Sequence, residues 1–294
     1  MGGLEARWTA RAVAQAAQAA CLLEVSAPKP GNVCRYADFT DARYEDFLLS
    51  AVAIGPAFAA AGRSSVGRTI WRAIRDTRRW VRTNTNLGIV LLLAPLARAA
   101  LQPGPLRENV GRVLAGLTVE DARLAYAAIR LARPGGLGRA ERGDVAEEPR
   151  ITLLEAMELA RERDAIAREY VTGYAITFEL GYPALREAWS ATRNLSWAIV
   201  EAYLRILAQV PDTLIARKRG VESAQEVSRW ADQALQAGGI RTPDGREAVS
   251  ELDRRLRDPG HTLNPGTTAD LVTAALFLFL LQDGPGGREA APSF

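Results

Sequence analysis

The segment Glu24-Val25-Ser26-Ala27-Pro28-Lys29-Pro30-Gly31-Asn32-Val33 closes an apolar, helix-forming run with a carboxylate and then holds one of only two lysines between two prolines. Pro28 and Pro30 restrict the backbone around Lys29, so its ammonium is presented at low entropic cost, as a phosphate contact requires. A helix stop carrying an exposed lysine accounts for the same residues equally well. Just downstream, Asp38, Asp41 and Asp46 bring three aspartates into nine residues, with Arg43 among them and Arg35 just before. Mg²⁺ takes one or two carboxylates together with substrate phosphate oxygens, which suits such a cluster, although a solvated loop with Asp41 as a helix cap is the commoner arrangement.

Two further segments join polar side chains to the start of an apolar helix. Arg82-Thr83-Asn84-Thr85-Asn86-Leu87-Gly88 supplies amides and hydroxyls suited to an anion or a ribose, with Gly88 allowing a ligand or a neighbouring helix close to the backbone. One helix cap needs one such residue, and four exceed that need. Asn264-Pro265-Gly266-Thr267-Thr268-Ala269-Asp270-Leu271 leads into the most apolar stretch of the chain, where a carboxylate at the mouth of a buried helix calls for a partner. The helix dipole alone would also tolerate Asp270. Asp212-Thr213 followed by Arg217-Lys218-Arg219 has the charge order that dipole complementarity produces. Pro134-Gly135-Gly136-Leu137-Gly138 follows no strand and reads as a turn, and Arg161, Arg163 and Asp164 read as a solvated helix face. His261, the only histidine, is assigned to a surface loop, so a histidine-based metal site or a Ser-His-Asp triad is not expected.

These segments are carried by helices. Of 294 residues, 48% are hydrophobic and 24% charged, enough for a sizeable core and incompatible with disorder. Apolar residues recur at helical spacing almost throughout, and no set of alternating strands is present. Thr118 with Asp121 and Thr152 with Glu155 have capping-box form. The spacing predicts helices over 6–25, 44–61, 66–81, 86–100, 107–117, 119–132, 153–180, 184–210, 221–237, 245–257 and 268–282, an all-α fold of about ten to thirteen helices. Residues 1–283 are expected to form one domain and 284–294 a frayed tail. Three long polar connectors, 26–41, 134–149 and 258–266, are candidates for function, the expected active-site cleft being formed by polar loops between helices.

The net charge is +3, with 35 arginines interspersed among acidic residues, so no basic block points to nucleic acid. Cys21 and Cys34 lack metal or redox spacing, and a reducing cytoplasm is the default. The apolar run 271–281 is too short to span a membrane, so a soluble protein is expected.

Taken in order, Glu24 with Pro28-Lys29-Pro30-Gly31, then Asn84-Thr85-Asn86-Leu87-Gly88, then Asp212-Thr213 with Arg217, then Pro265-Gly266 with Ala269-Asp270-Leu271, the chain resembles the triphosphoribosyl-dephospho-CoA synthase family from about residue 14 to residue 280. That family makes the prosthetic-group precursor of citrate lyase and malonate decarboxylase. The resemblance implies an all-helical transferase that displaces adenine from ATP and moves the 5-triphosphoribosyl group to a ribose hydroxyl of 3'-dephospho-CoA with Mg²⁺. The citrate-lyase type carries Asn-Thr-His-Lys-Gly where this chain has Asn84-Thr85-Asn86-Leu87-Gly88, a form that resembles a branch from archaea and one-carbon-metabolising bacteria. An alternative for that branch is transfer from phosphoribosyl diphosphate to a ribitol hydroxyl in tetrahydromethanopterin assembly, and a non-catalytic nucleotide-binding helical protein is a further one.

By analogy with the family and the local chemistry, Glu24 or Asp270 is the expected base. Lys29 and Arg217 are assigned to phosphates, with Gly31, Asn32, Arg35 and Thr85 among the substrate contacts, and Asn84 and Asn86 orient the ribose. Asp38, Asp41 or Asp212 is assigned to Mg²⁺. The partners expected are a small-molecule ribosyl donor and a hydroxyl acceptor, without nucleic acid or membrane, and self-association is left open. All four segments should converge on one polar cleft.

Overall fold

The computed structural model describes residues 8–136 and 138–284. Among them the chain forms fifteen α-helices and no strand, with one isolated bridge between Cys34 and Ala37. The first seven are α1 (Ala10–Ser26), α2 (Tyr44–Ala53), α3 (Gly55–Ala59), α4 (Val66–Thr77), α5 (Leu87–Ala100), α6 (Leu106–Ala115) and α7 (Val119–Ala132). The rest are α8 (Leu153–Ala160), α9 (Ala165–Thr172), α10 (Tyr182–Thr192), α11 (Leu195–Gln209), α12 (Thr213–Arg219), α13 (Val221–Gln236), α14 (Pro243–Leu256) and α15 (Gly266–Gln282). The expected tail lies outside the described residues from 285 onward, as does Leu137. No helix among the described residues is long and apolar enough to cross a membrane.

Helices α5 and α15 form the centre because they are apolar on every face, and such a helix is stable in water only when neighbours surround it. They touch each other. Helices α1, α10, α11 and α12 cover α15, α4, α6 and α7 cover α5, and α1 and α9 contact both. Both predicted capping boxes form: the side chains of Thr118 and Thr152 accept from the N–H groups of Asp121 and Glu155, whose carboxylates return the bond.

Three predicted helices are broken in the structure. The span 44–61 stops at Ala53 and restarts at Gly55-Pro56, where proline fits the first turn because that N–H needs no helical partner. The span 153–180 stops near Arg161 and restarts after Asp164, which caps α9 by accepting from the N–H of Ile166. It breaks again at Gly173 and Tyr174, both left-handed, and resumes as a π-turn over Ile176–Gly181. The buried Glu169 carboxylate accepts from the N–H groups of Ile176 and Thr177, satisfying donors at this break. In the span 184–210, Arg193 turns left-handed and Asn194 caps α11.

Pro95 lies inside α5 and lacks the N–H that would pair with the Leu91 carbonyl four residues earlier. One of two buried tyrosines from the neighbouring segment answers this defect, and the second donates beside it. Tyr170 donates its hydroxyl to the Leu91 carbonyl at 2.6 Å, and Tyr174 donates to the Leu92 carbonyl at 2.8 Å. Tyr170→Phe should therefore cost about 1–3 kcal/mol by leaving a buried carbonyl unpaired. Urea unfolding of Tyr170→Phe in the wild-type and Pro95→Ala backgrounds checks this: the cost should shrink where the second substitution restores the missing N–H, and an equal cost in both would separate the tyrosine from the proline.

Candidate active site

A cleft of about 510 Å³ opens where the N-termini of α5 and α15 meet the C-terminal end of α1 and helix α12. All four segments singled out in the sequence reach its wall: Glu24, Asn32 and Asp41 from the first, 84–88 from the second, Leu214 and Arg217 from the third, and Asn264, Gly266 and Asp270 from the fourth. The three long connectors border it as well. Segments distant in the chain are thus brought to one place by the crossing of α5 and α15.

Within the cleft, Gly88 lies close against Asp270. A Cβ on Gly88 would overlap the Asp270 carboxylate and would also press on Ile166, so only glycine allows the two helices to meet here. Asp270 is half-buried and makes no hydrogen bond with a described residue. Desolvation raises its pKa well above the ordinary carboxylate range, the charges of Glu24, Asp212 and Asp164 add to the rise, and Arg217 opposes it. Glu24 is raised too, by burial first, against the pull of Lys29. Two carboxyls whose ionisation is opposed by burial therefore share one cleft.

Several expected roles are corrected by geometry. The Lys29 ammonium is 1% exposed and does not reach the cleft. It lies 3.0 Å from a Glu24 carboxylate oxygen and donates to the carbonyls of Glu24 at 2.6 Å and Ala27 at 3.3 Å, so its three protons are engaged within the chain. Lys29 is a positioning residue for Glu24, where a phosphate contact was expected. Gly31, expected among the substrate contacts, adopts φ +72° and packs so tightly on Leu256 that a side chain would not fit, while its N–H donates to Asp253. Arg35 is exposed beside Tyr36 and Tyr44, outside the cleft wall.

The expected Mg²⁺ ligands do not assemble. Asp38 accepts from the N–H of Tyr44, and Asp46 from that of Arg43, so these two cap α2 and Asp41 does not. Asp212 is buried, with one oxygen accepting from the N–H groups of Leu214 and Ile215 and the other from the N–H and hydroxyl of Thr268. It fastens α12 to α15 and has no lone pair directed at a ligand. Among the described residues no group of three His, Cys, Asp or Glu side chains is arranged to hold a metal ion. Asp41 remains on the cleft wall, and a Mg²⁺ that arrives on phosphates needs only one or two carboxylates.

In the amide segment, Asn84 caps α5 through the N–H of Leu87, Thr85 shares a 2.5 Å hydrogen bond with Ser50, and Asn86 donates to Thr77. All three line the cleft. Asn32 donates to the Pro265 carbonyl, joining the first and fourth segments.

Four cleft residues were not expected. Asp164 pairs with Arg217 at 2.9 Å, although its own sequence context reads as a solvated face. Arg133, left-handed at the end of α7, and Lys218, which donates to the His261 carbonyl, add cations to the wall. The run Arg217-Lys218-Arg219 was the available signal for Lys218. His261 also lines the cleft, its ring stacked on Phe39 at 4.1 Å and its Nδ1 buried without a hydrogen-bond partner.

Comparison with known proteins follows the same lines. Residues 10–289 match the ATP:dephospho-CoA triphosphoribosyl transferase family. A Pseudomonas fluorescens protein assigned as a 2-(5''-triphosphoribosyl)-3'-dephosphocoenzyme-A synthase is 30% identical over 83% of this chain and 75% of its own length. An Azotobacter vinelandii protein with the same assignment is 27% identical over 87% of this chain and 86% of its own. The crystal structure of an Archaeoglobus fulgidus protein assigned as a triphosphoribosyl-dephospho-CoA synthase aligns with a TM-score of 0.62 and 31% identity, covering 79% of this chain and 97% of that one.

The Glu24–Lys29 pair makes a direct test of the corrected role. Lys29→Ala leaves a buried carboxylate unpaired and should lower stability by about 3–5 kcal/mol in urea unfolding, whereas Glu24→Gln in the same chain should return a large part of that loss. A Lys29→Ala variant as stable as the wild type would restore the exposed-lysine reading.

Proposed function

Because the chain belongs to the ATP:dephospho-CoA triphosphoribosyl transferase family and is a transferase of the triphosphoribosyl-dephospho-CoA synthase type, we propose that its cleft binds ATP and passes the 5-triphosphoribosyl group to a ribose hydroxyl of 3'-dephospho-CoA, releasing adenine. The observation that carries this reading is the unpartnered Asp270 carboxyl in the same cleft as the cations Arg133, Arg217 and Lys218. A triphosphate needs the cations, and a departing base needs an acid. The relatives described above carry the dephospho-CoA assignment, and nothing in them supports the phosphoribosyl diphosphate alternative.

The bond between the ribosyl C1' and the adenine nitrogen breaks through an oxocarbenium-like centre, which nearby negative charge stabilises. Asp270, whose protonated form its surroundings favour, gives its proton to the departing adenine. The acceptor oxygen then forms the new bond to C1', and its proton returns to the Asp270 carboxylate, so the enzyme ends as it began. Glu24, fixed by Lys29, keeps a second carboxyl at the cleft wall. Asn84 and Asn86 hold the ribose, and Phe39 and Phe47 provide an apolar wall for the base. Asp41 on the cleft wall would help hold a Mg²⁺ that arrived on the triphosphate, and that ion would supply neutralisation of phosphate charge.

Incubation with ATP, Mg²⁺ and 3'-dephospho-CoA, followed by chromatography of free adenine, tests the reaction. One adenine per acceptor consumed, and none without acceptor, is the expected result; no adenine under any of these conditions contradicts it. Asp270→Asn should lower kcat by about 10²–10⁴-fold. In the wild type, kcat should fall as pH rises through the raised pKa of Asp270, because the ionised carboxylate has no proton to give, and the residual rate of Asp270→Asn should lack that alkaline limb.

A further inference from the structure

A second cavity, about 240 Å³, adjoins the first and is unused by the chemistry above. The two share Leu91, Ile129, Asp164, Ile166 and Arg217, so the Asp164–Arg217 ion pair forms part of the wall between them. Ile166 is the residue that also crowds Gly88 beside Asp270, which puts the second cavity one side chain from the acid.

Its interior and its rim differ in chemistry. Leu153, Met157 and Ile129 make apolar walls, and Ala156 and Ala160 leave room between them, the setting that receives the faces of an aromatic base. The connector 138–145 forms the other side, held by a 2.8 Å hydrogen bond from the Tyr126 hydroxyl to the Gly143 carbonyl. At the rim, the Asp144 carboxylate accepts from the N–H groups of Ala146 and Ala140, which lower its pKa first, and the nearby charges of Arg139 and Arg163 lower it further, two cations to one carboxylate. The space is about half that of the first cleft.

We infer that this cavity binds the purine nucleoside end of the acceptor, its base between Met157 and Ile129 and its ribose at the Asp164–Arg217 wall, with the diphosphate leaving past Arg139 and Arg163. The inference rests on the proposed reaction, which brings two adenine-bearing substrates to one centre and so needs two base sites that share a wall. The polar cleft with Arg133 and Lys218 serves the triphosphate donor. The apolar cavity with two rim cations matches an acceptor that carries fewer charges.

Ala160→Trp in the full chain fills the cavity without touching the first cleft. Calorimetric titration should show 3'-dephospho-CoA affinity reduced at least ten-fold and ATP–Mg²⁺ affinity within two-fold of the wild type, the retained ATP binding also reporting an intact fold. Loss of ATP binding with dephospho-CoA unaffected would assign the cavity to the leaving base and overturn the inference, as would no change for either ligand. If the tryptophan variant binds neither, the pair Arg139→Ala and Arg163→Ala decides: weaker dephospho-CoA binding with a flatter salt dependence supports the site, and unchanged binding overturns it. Adenine release by the wild type reads the proposed reaction separately, since dephospho-CoA binding lost on filling the cavity in a protein that releases no adenine would leave this site standing and remove only the reaction.

Discussion

The absence of a side chain at Gly88 is the constraint on which the cleft depends. Two helices that are apolar on every face, α5 and α15, occupy the centre, and their N-terminal turns meet where Asp270 needs the space a Cβ would occupy. A half-buried carboxyl placed there sheds part of its water without gaining a hydrogen bond from a described residue, which raises its pKa. Burial, usually a reason for a carboxyl to be absent, here prepares an acid. The neighbouring carboxyls Glu24, Asp164 and Asp212 push in the same direction, and Arg217 limits the effect.

Much of the charge around this point serves to hold the segments that line the cleft. Lys29 fixes Glu24 and closes the turn after α1, Asp212 ties α12 to α15, and Asp253 receives the N–H of Gly31 while pairing with Arg257, which donates in turn to the Asn32 carbonyl. Each of these joins a connector to a helix or to another connector. Polar loops cannot be stabilised by apolar contact, so buried charge-assisted hydrogen bonds set their positions instead. Asp270 and Asp41 face the cleft with Arg133, and so do Arg217 and Lys218, which keep donors beyond those engaged by Asp164 and the His261 carbonyl. A division of labour between fastening charges and cleft-facing charges follows from which lone pairs and protons remain unused.

The all-helical class and most helices were legible because their apolar residues repeat at helical spacing and their caps are local, as at Thr118 and Thr152. The breaks at Tyr174 and Arg193 were not, since both are non-glycine residues in left-handed backbone, held by contacts such as the Tyr174 hydroxyl on α5 that no local pattern records. The four polar segments were singled out in the sequence, 82–88 because it carries more polar residues than a cap requires, and they meet at one cleft. The direction of individual side chains was not legible. Lys29 between two prolines reads the same whether its ammonium faces water or the carbonyl of Glu24, and Asp212 reads as a cap whether or not Thr268 takes its second oxygen. Asp164 and His261 became part of the cleft only through partners 53 and 221 residues away.

If burial and the neighbouring carboxyls raise the pKa of Asp270 well above the ordinary carboxylate range, the protonation state of that one group is the quantity to read. Carbon-13 NMR of the Asp270 side-chain carboxyl, assigned by comparison with Asp270→Asn, follows it directly across a pH titration. The expected result is a carboxyl that ionises at a pH well above the ordinary aspartate range, and whose resonance shifts when ATP–Mg²⁺ is added. A carboxyl already ionised at pH 5, as an ordinary aspartate of pKa about 4 would be, contradicts it.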